Sequence, residues 1–155
     1  MIDPTVRASG PDDHDELGVL EALARGALVG QRGGARWLEE HPPHHPDWNR
    51  TERRRVLVAD LDGCVVGYLV LDLGRVAVVE SVFVHPDARE VGFGDALLEA
   101  ARSAAAASGS HHLEGTALPG DRETKNLYER AGITARSITV SVALTDPSSS
   151  EPASR

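Results

Sequence analysis

Hydrophobic residues in the first part of the chain follow a helical spacing. After Pro11-Asp12-Asp13, an acidic helix start, apolar residues recur every three or four positions: Leu17, Leu20, Leu23, Ala24 and Ala27. This spacing predicts an amphipathic helix that ends before Gly30. Residues 5–8 predict a short strand before it, and residues 35–40 predict a short second helix.

The middle of the chain changes to a strand spacing. Residues 56–59 and 64–70 flank Asp62-Gly63, a strong hairpin signal, and therefore predict two antiparallel strands. Residues 76–84 are rich in β-branched side chains, which favour a mostly buried central strand.

The last third predicts two further strands and two further helices. An alanine-rich helix covers residues 92–108, and a strand covers residues 111–118, which a crossover of this kind places parallel to residues 76–84. Asp121 can cap a helix that reaches Gly132, and alternating apolar residues predict a final strand over 138–144. We therefore expect one domain over residues 1–144 and a disordered polar tail over residues 145–155.

Composition narrows the classes of function. The 155 residues include 16 basic and 24 acidic side chains, and a net charge of −8 argues against a nucleic-acid partner and mildly favours cationic substrates. Cys64 is the single cysteine, so an internal disulfide is excluded and a reducing cytoplasm is the expected location. No apolar run has the length of a membrane span or the form of a signal peptide, so we expect no membrane partner.

The strongest chemical signal is the turn Arg89-Glu90-Val91-Gly92-Phe93-Gly94, which follows the central strand and opens a helix. Glycines allow a tight turn, and the free N–H groups of a helix start bind phosphate, so a phosphorylated cofactor is the first hypothesis. The alternative is a strand-to-helix turn that binds nothing. A dinucleotide-binding site of the Rossmann type fits less well, because the third glycine is missing.

This turn resembles the signature of the GCN5-related N-acetyltransferase (GNAT) family, and residues 126–133 resemble a second segment of that family. The resemblance covers residues 5–144. It implies an α/β (α+β) fold, with a mixed central sheet of six to seven strands, about four flanking helices and splayed central parallel strands. It also implies acetyl-CoA as the acyl donor. We expect no metal, because His41, His44 and His45 lie in one proline-rich loop, which is a poor metal cage.

The resemblance carries the acetyl-CoA site onto particular residues. The main chain of residues 82–84 would bind the pantetheine arm next to a bulge, and the turn would bind the pyrophosphate. The implied cofactor-binding residues are Val82, Phe83, Val84, Arg89, Glu90, Val91, Gly92, Phe93, Gly94, Asp95 and Asp121. Glu90, Val91, Asp95 and Asp121 depart from the family pattern, and inward-facing carboxylates there would weaken CoA binding.

Two residues are the implied catalysts. Glu80 would be the general base, although a strand glutamate can also face solvent or pair with an arginine, and His112 and Glu114 are the reserve candidates. Tyr128 would protonate the departing thiolate, and its alternative is an aromatic side chain that only packs.

The implied function is acetyl transfer from acetyl-CoA to a primary amine of an unidentified acceptor, by direct attack in a ternary complex. The acceptor is a small molecule or a peptide, and the resemblance leaves room for a homodimer. The alternative is a non-catalytic acyl-CoA-binding or regulatory module. Two features are expected to be solvated surface. One is the proline-rich histidine loop (residues 41–47), which could border a substrate site. The other is the arginine run over residues 50–55, which could contact an acidic partner or the nucleotide of CoA.

Overall fold

The architecture is a five-stranded mixed sheet with helices on both faces. The computed structural model describes residues 4–145, so the predicted tail from residue 146 onward lies outside the described residues. The strands are β1 (Thr5–Ala8), β2 (Arg54–Leu61), β3 (Cys64–Asp72), β4 (Val76–Val84) and β5 (His112–Gly115). The helices are α1 (His14–Leu28), α2 (Gly34–Glu40), α3 (Phe93–Ala107) and α4 (Arg122–Arg130), with single 3-10 turns at Pro11–Asp13 and Pro86–Ala88.

The strands lie in the order β1-β2-β3-β4-β5. The first four are antiparallel to their neighbours, whereas β5 runs parallel to β4, which confirms the predicted crossover through α3. The hairpin between β2 and β3 is also confirmed. Asp62 and Gly63 both have positive φ, at 51° and 86°, as a two-residue hairpin turn requires.

The expected strand over residues 138–144 is wrong, because the described residues contain five strands and not six or seven. The segment has no strand pairing, and its apolar side chains are 78% to 93% exposed: Ile138, Val140, Val142 and Leu144. A segment with alternating apolar residues forms a strand only where its backbone N–H and C=O groups can hydrogen-bond to the edge of a sheet. β5 is also shorter than expected, since it ends at Gly115 and not at residue 118.

The core has two layers, one on each face of the sheet. β3 contributes to both, since Leu69 and Leu71 pack against α3 and α4, while Tyr68 and Val70 pack against α1. Burial on both faces explains why this strand is a continuous apolar run in the sequence. Within residues 4–145, none of the helices combines the length and apolar character that crossing a bilayer demands.

The buried face of α1 differs from the predicted one at three positions. Leu23 and Ala27 were expected inside, but both are exposed, Leu23 at 45%. Glu21 is 3% exposed and lies beside Leu17 and Leu20 on the inner face. A carboxylate is almost never buried unless its hydrogen bonds are supplied from elsewhere, and here the histidine loop supplies them.

Candidate active site

A cleft opens where β4 and β5 separate. β5 pairs with β4 only from Val76 to Val79, so the second half of β4 has no partner on that side. The space between the two strands is part of a cavity of about 1110 Å³, which extends between α1, the Arg89–Gly94 turn and α4. It is lined by both predicted catalytic residues and by all but one of the predicted cofactor-binding residues; Val91 lies outside the lining.

The central strand has a bulge at Glu80. Val70 of β3 is opposite Ser81 and Leu71 is opposite Val79, so Glu80 is the extra residue between them. A bulge bends its strand and redirects a side chain. This local irregularity lies at the start of the unpaired half of β4, and the Glu80 side chain borders the cavity there.

Two basic side chains from distant parts of the sequence lie next to the Glu80 carboxylate. Its Oε2 atom lies 3.0 Å from Nε2 of His44 and 3.5 Å from a guanidinium nitrogen of Arg54. When Nε2 of His44 carries a proton, its hydrogen bond to Glu80 lowers the pKa of Glu80 below its ordinary value, although partial burial opposes that shift. Glu80 is therefore an ionised acceptor at neutral pH.

The histidine loop is exposed at six of its seven residues, as the sequence predicted, but His44 is half-buried and the loop is hydrogen-bonded to α1. The buried Glu21 carboxylate accepts hydrogen bonds from the backbone N–H groups of His44 and His45, at 2.8 and 2.9 Å, and from Nδ1 of His44 at 2.8 Å. Trp48 is fully buried, and its indole N–H donates to Nδ1 of His45 at 3.0 Å. Within residues 4–145, no group of three acidic, cysteine or histidine side chains is arranged to hold a metal ion.

Arg54 and His44 are the site residues that the sequence reasoning missed. Both were assigned to exposed surface, yet their side chains are only 12% and 16% exposed. The missed signal was Trp48, since a tryptophan right after a polar proline-rich loop is a reason to expect that loop to be anchored in the core.

Tyr128 lies on the opposite wall of the cleft, on α4. It is 7% exposed, and burial raises the pKa of its phenol well above the ordinary range, so the hydroxyl keeps its proton at neutral pH. Its hydroxyl lies against Gly115, where a Cβ atom would overlap it. Gly115 therefore leaves room for the hydroxyl at the point where β5 ends.

The two glycines of the turn have different roles. Gly92 has φ of 91°, the left-handed region that favours glycine, and is the residue before α3. A Cβ atom at Gly94 would lie 3.0 Å from Cδ1 of Leu127, so its missing side chain lets α4 pack on α3. The first N–H groups of α3, which have no carbonyl partner within the helix, adjoin the cavity.

The acidic residues that depart from the family pattern are mostly accounted for by local contacts. Asp95 is exposed and pairs with Arg130 at 3.0 Å. Asp121 caps α4, since its carboxylate accepts from the N–H and the hydroxyl of Thr124, at 3.2 and 2.7 Å. Glu90 is exposed and has a φ of 69°, a conformation that favours glycine.

The reserve base candidates do not reach the cleft. His112 is opposite Val76 and Glu114 is opposite Val78, in the half of β5 that is paired with β4. Neither lines the cavity, and Glu114 lies 3.5 Å from Arg136.

A family model described as "Acetyltransferase (GNAT) family" matches residues 19–133, which is most of the chain. The chain belongs to the GNAT acetyltransferase family. The family assignment confirms the resemblance stated from the sequence, and the splayed β4 and β5 of this GNAT domain confirm the expected cleft. None of the curated proteins compared with the sequence matches it significantly.

Solved GNAT structures share the fold. The BH1408 protein from Bacillus halodurans, solved as a tetramutant, is 20% identical, with a TM-score of 0.76 over 90% of this chain and 99% of its own. The aminoglycoside N-acetyltransferase AAC(6')-Iy, solved with CoA, is 12% identical, with a TM-score of 0.70 over 92% of this chain and 100% of its own. Ribosomal-protein-alanine N-acetyltransferase from Brucella melitensis biovar Abortus 2308 is 21% identical, with a TM-score of 0.65 over 94% of this chain and 100% of its own.

The residues at the cleft fit a phosphorylated pantetheine ligand, with one obstacle. Main-chain groups of the unpaired half of β4 and of the α3 start adjoin the cavity, as such a ligand requires. The obstacle is Arg89, whose Nε donates to the Val84 carbonyl at 3.0 Å and whose guanidinium pairs with Glu123 at 2.6 Å. These contacts engage two of its five N–H donors, and a bound pyrophosphate would compete with Glu123 for the guanidinium.

We therefore predict that Glu123→Gln tightens acetyl-CoA binding about 2- to 5-fold. The carboxylate competes with phosphate for Arg89, and an exposed ion pair contributes at most about 1 kcal/mol. Calorimetry at low ionic strength measures the Kd. Glu129→Gln is the control, since Glu129 is an exposed residue of the same helix with no ion pair among the described residues. Equal Kd values for all three proteins would contradict the competition.

Proposed function

We propose that this protein transfers an acetyl group from acetyl-CoA to a primary amine, with direct attack in a ternary complex. The observation that carries the proposal is the arrangement of one cleft. Its walls contribute an ionised carboxylate at Glu80 and a protonated phenol at Tyr128, and it ends at the phosphate-binding geometry of Gly92 and the α3 start.

The chemistry divides between the two walls. Glu80 accepts the proton of the acceptor ammonium, directly or through a water, and the free amine then attacks the thioester carbonyl. Tyr128 donates its proton to the departing thiolate. Main-chain N–H groups of β4 beyond the bulge orient the donor, as an added strand would.

Direct attack agrees with the place of the single cysteine. Cys64 is exposed at the start of β3 and does not line the cavity, so a covalent acyl-cysteine has no thiol at the cleft.

The proposal predicts that acetyl-CoA raises the melting temperature and that at least one amine releases CoA. At a concentration 100 times its Kd, a ligand stabilises the folded state by about 2.7 kcal/mol. Scanning calorimetry measures the first effect, and thiol detection measures the second over polyamines, aminoglycosides, amino acids and peptides. Peptides with N-terminal alanine belong in the panel, because the names of two structural neighbours specify aminoglycoside and ribosomal-protein-alanine acceptors. Absence of any stabilisation would contradict acetyl-CoA binding.

The second candidate is an acyl-CoA-binding or regulatory module without catalysis. The ion pair between Arg89 and Glu123 and the use of Asp121 as a helix cap favour it, since both occupy groups that the family pattern assigns to CoA. Stabilisation by acetyl-CoA without CoA release over the whole amine panel would support this module against the enzyme.

A homodimer and a cytoplasmic location stay predictions. The exposed apolar side chains of residues 138–144 are the surface that a second copy would be expected to cover. Light scattering measures the oligomeric state.

A further inference from the structure

The Glu21, His44 and Glu80 side chains form a continuous hydrogen-bonded chain from the core to the cleft. Glu21 is the inner member, with a side chain that is 5% exposed, and Glu80 is the outer member, with 31% exposed. His44 connects them, since Nδ1 lies 2.8 Å from Glu21 and Nε2 lies 3.0 Å from Glu80.

The contacts determine where the protons of His44 are. Glu21 also accepts two backbone N–H groups, so it is an ionised acceptor and Nδ1 must donate to it. Nε2 and the Glu80 oxygen are 3.0 Å apart, and both carry lone pairs when deprotonated. One proton between these two atoms turns a repulsive contact into a charge-assisted hydrogen bond.

Several other groups surround the imidazole. The charged, titratable and aromatic groups that face this region, apart from the two carboxylates, are Arg25 of α1, Trp37 of α2, His41, His45 and Trp48 of the loop and its end, Arg54 of β2 and Tyr68 of β3. Arg25 is bonded to the carbonyl groups of Leu38 and His41, and His45 accepts from Trp48. Arg54 lies next to Glu80 and opposes protonation of His44, but the two carboxylates are in direct contact with the ring.

A carboxylate that stands alone is a poor base for an ammonium group. The ordinary pKa of a glutamate is 4.5 and that of a histidine is 6.5, and each unit of pKa is a tenfold change in the proton-transfer equilibrium. An imidazole that accepts the proton through Glu80 therefore improves the equilibrium by about 100-fold. Burial lowers the pKa of His44, but hydrogen bonds to Glu21 and Glu80 more than offset it and raise this pKa above 6.5.

We propose that His44 is a positioning residue for the proposed acetyl transfer, which takes up the acceptor's proton through Glu80 while Glu21 holds the ring. This inference rests on the proposed function. Before the reaction, His44 carries a proton on Nδ1 only. One N–H bond of the acceptor ammonium breaks and an Nε2–H bond forms, with the Glu80 carboxylate between them. The neutral amine is then free to attack, and His44 later returns the proton to solvent.

The pH dependence of kcat/KM tests this assignment. Below the raised pKa of His44, the ring already holds its second proton, so the rate of the wild-type protein rises with pH through that pKa. We expect His44→Gln to lower the high-pH rate about 10- to 100-fold and to remove this rise from the profile. Glu21→Gln removes one of the two carboxylates that contact the imidazole ring. We expect it to shift the midpoint of the kcat/KM profile down by about one pH unit.

The acceptor in these assays is the panel amine with the largest kcat/KM. His111→Gln is the control, since His111 is exposed and lies outside the cleft, and its profile should match that of the wild type. Variants with reduced rate but an unchanged midpoint would overturn the proposal, because a merely structural role predicts that result. Absence of CoA release from the wild type with every amine would instead reject the proposed function itself.

A measurement on the unaltered protein covers the case in which a variant does not fold. Nuclear magnetic resonance of the ligand-free wild type follows the titration of the His44 ring, which we expect above pH 6.5. This titration must coincide with the kinetic midpoint. A His44 that titrates at or below its ordinary value, or whose titration differs from the kinetic midpoint, would overturn the proposal.

Discussion

Tyr128→Phe is expected to lower kcat about 100-fold or more and to leave the Kd for acetyl-CoA within about twofold. The substitution removes one hydroxyl from a ring that is otherwise buried in the α3 and α4 layer of the core, so the packing is preserved. The lost group is the hydroxyl at the cleft, which would otherwise donate its proton. The departing thiolate would then have to take its proton from water. Steady-state kinetics measures kcat, and calorimetry measures the Kd.

Gly115→Ala gives an independent test of the same hydroxyl. The new Cβ atom would overlap the Tyr128 oxygen and displace it, although Tyr128 itself is unchanged. We expect a fall in kcat in the same direction as for Tyr128→Phe. Unchanged kcat in Tyr128→Phe would remove the phenol from the mechanism and assign Tyr128 to packing alone.

Trp48→Ala is expected to lower the free energy of unfolding by about 3–5 kcal/mol, the usual loss for a large buried aromatic side chain. Trp48 is fully buried, packs edge-on against Tyr68 at 5.8 Å between ring centroids, and donates a hydrogen bond to His45. Its removal opens a cavity and releases the histidine loop. Urea unfolding followed by circular dichroism measures the change.

The matched control is Trp37→Ala, the same substitution at the second of two tryptophans. Trp37 is half-buried and stacks on the exposed His41, so we expect roughly half the loss of Trp48→Ala or less. Equal losses for the two variants would show that Trp48 does not anchor the loop more than a surface aromatic does.

Much of the fold was predictable because its signals are local. Asp62-Gly63 specifies a hairpin through the φ values that its two residues accept, and β4 was predicted with its observed bounds, Val76–Val84. The family was identifiable from residues 89–94 and 126–133, which the family match includes. These segments carry their information in a few neighbouring positions.

The wrong predictions concern residues whose structure depends on contacts with distant parts of the chain. Residues 138–144 alternate as a strand does, but they have no sheet neighbour in the structure. Leu23 fits the helical spacing of α1, yet the inner face includes Glu21, because the histidine loop supplies three N–H groups to its carboxylate. The spacing of apolar residues cannot predict a buried carboxylate. The free-energy cost of burying a carboxylate depends on hydrogen-bond donors that come from elsewhere in the chain.

The sequence by itself determined the order of the elements from β1 to α4, the parallel crossover, the glycine-rich turn and membership of the family. Only the tertiary structure decided which basic groups face Glu80, because His44 and Arg54 are 36 and 26 positions away from it along the chain. Backbone preference and side-chain period act between near neighbours. Hydrogen bonds and pKa shifts act through space, so they exist only after the loop, β2 and β4 have packed together.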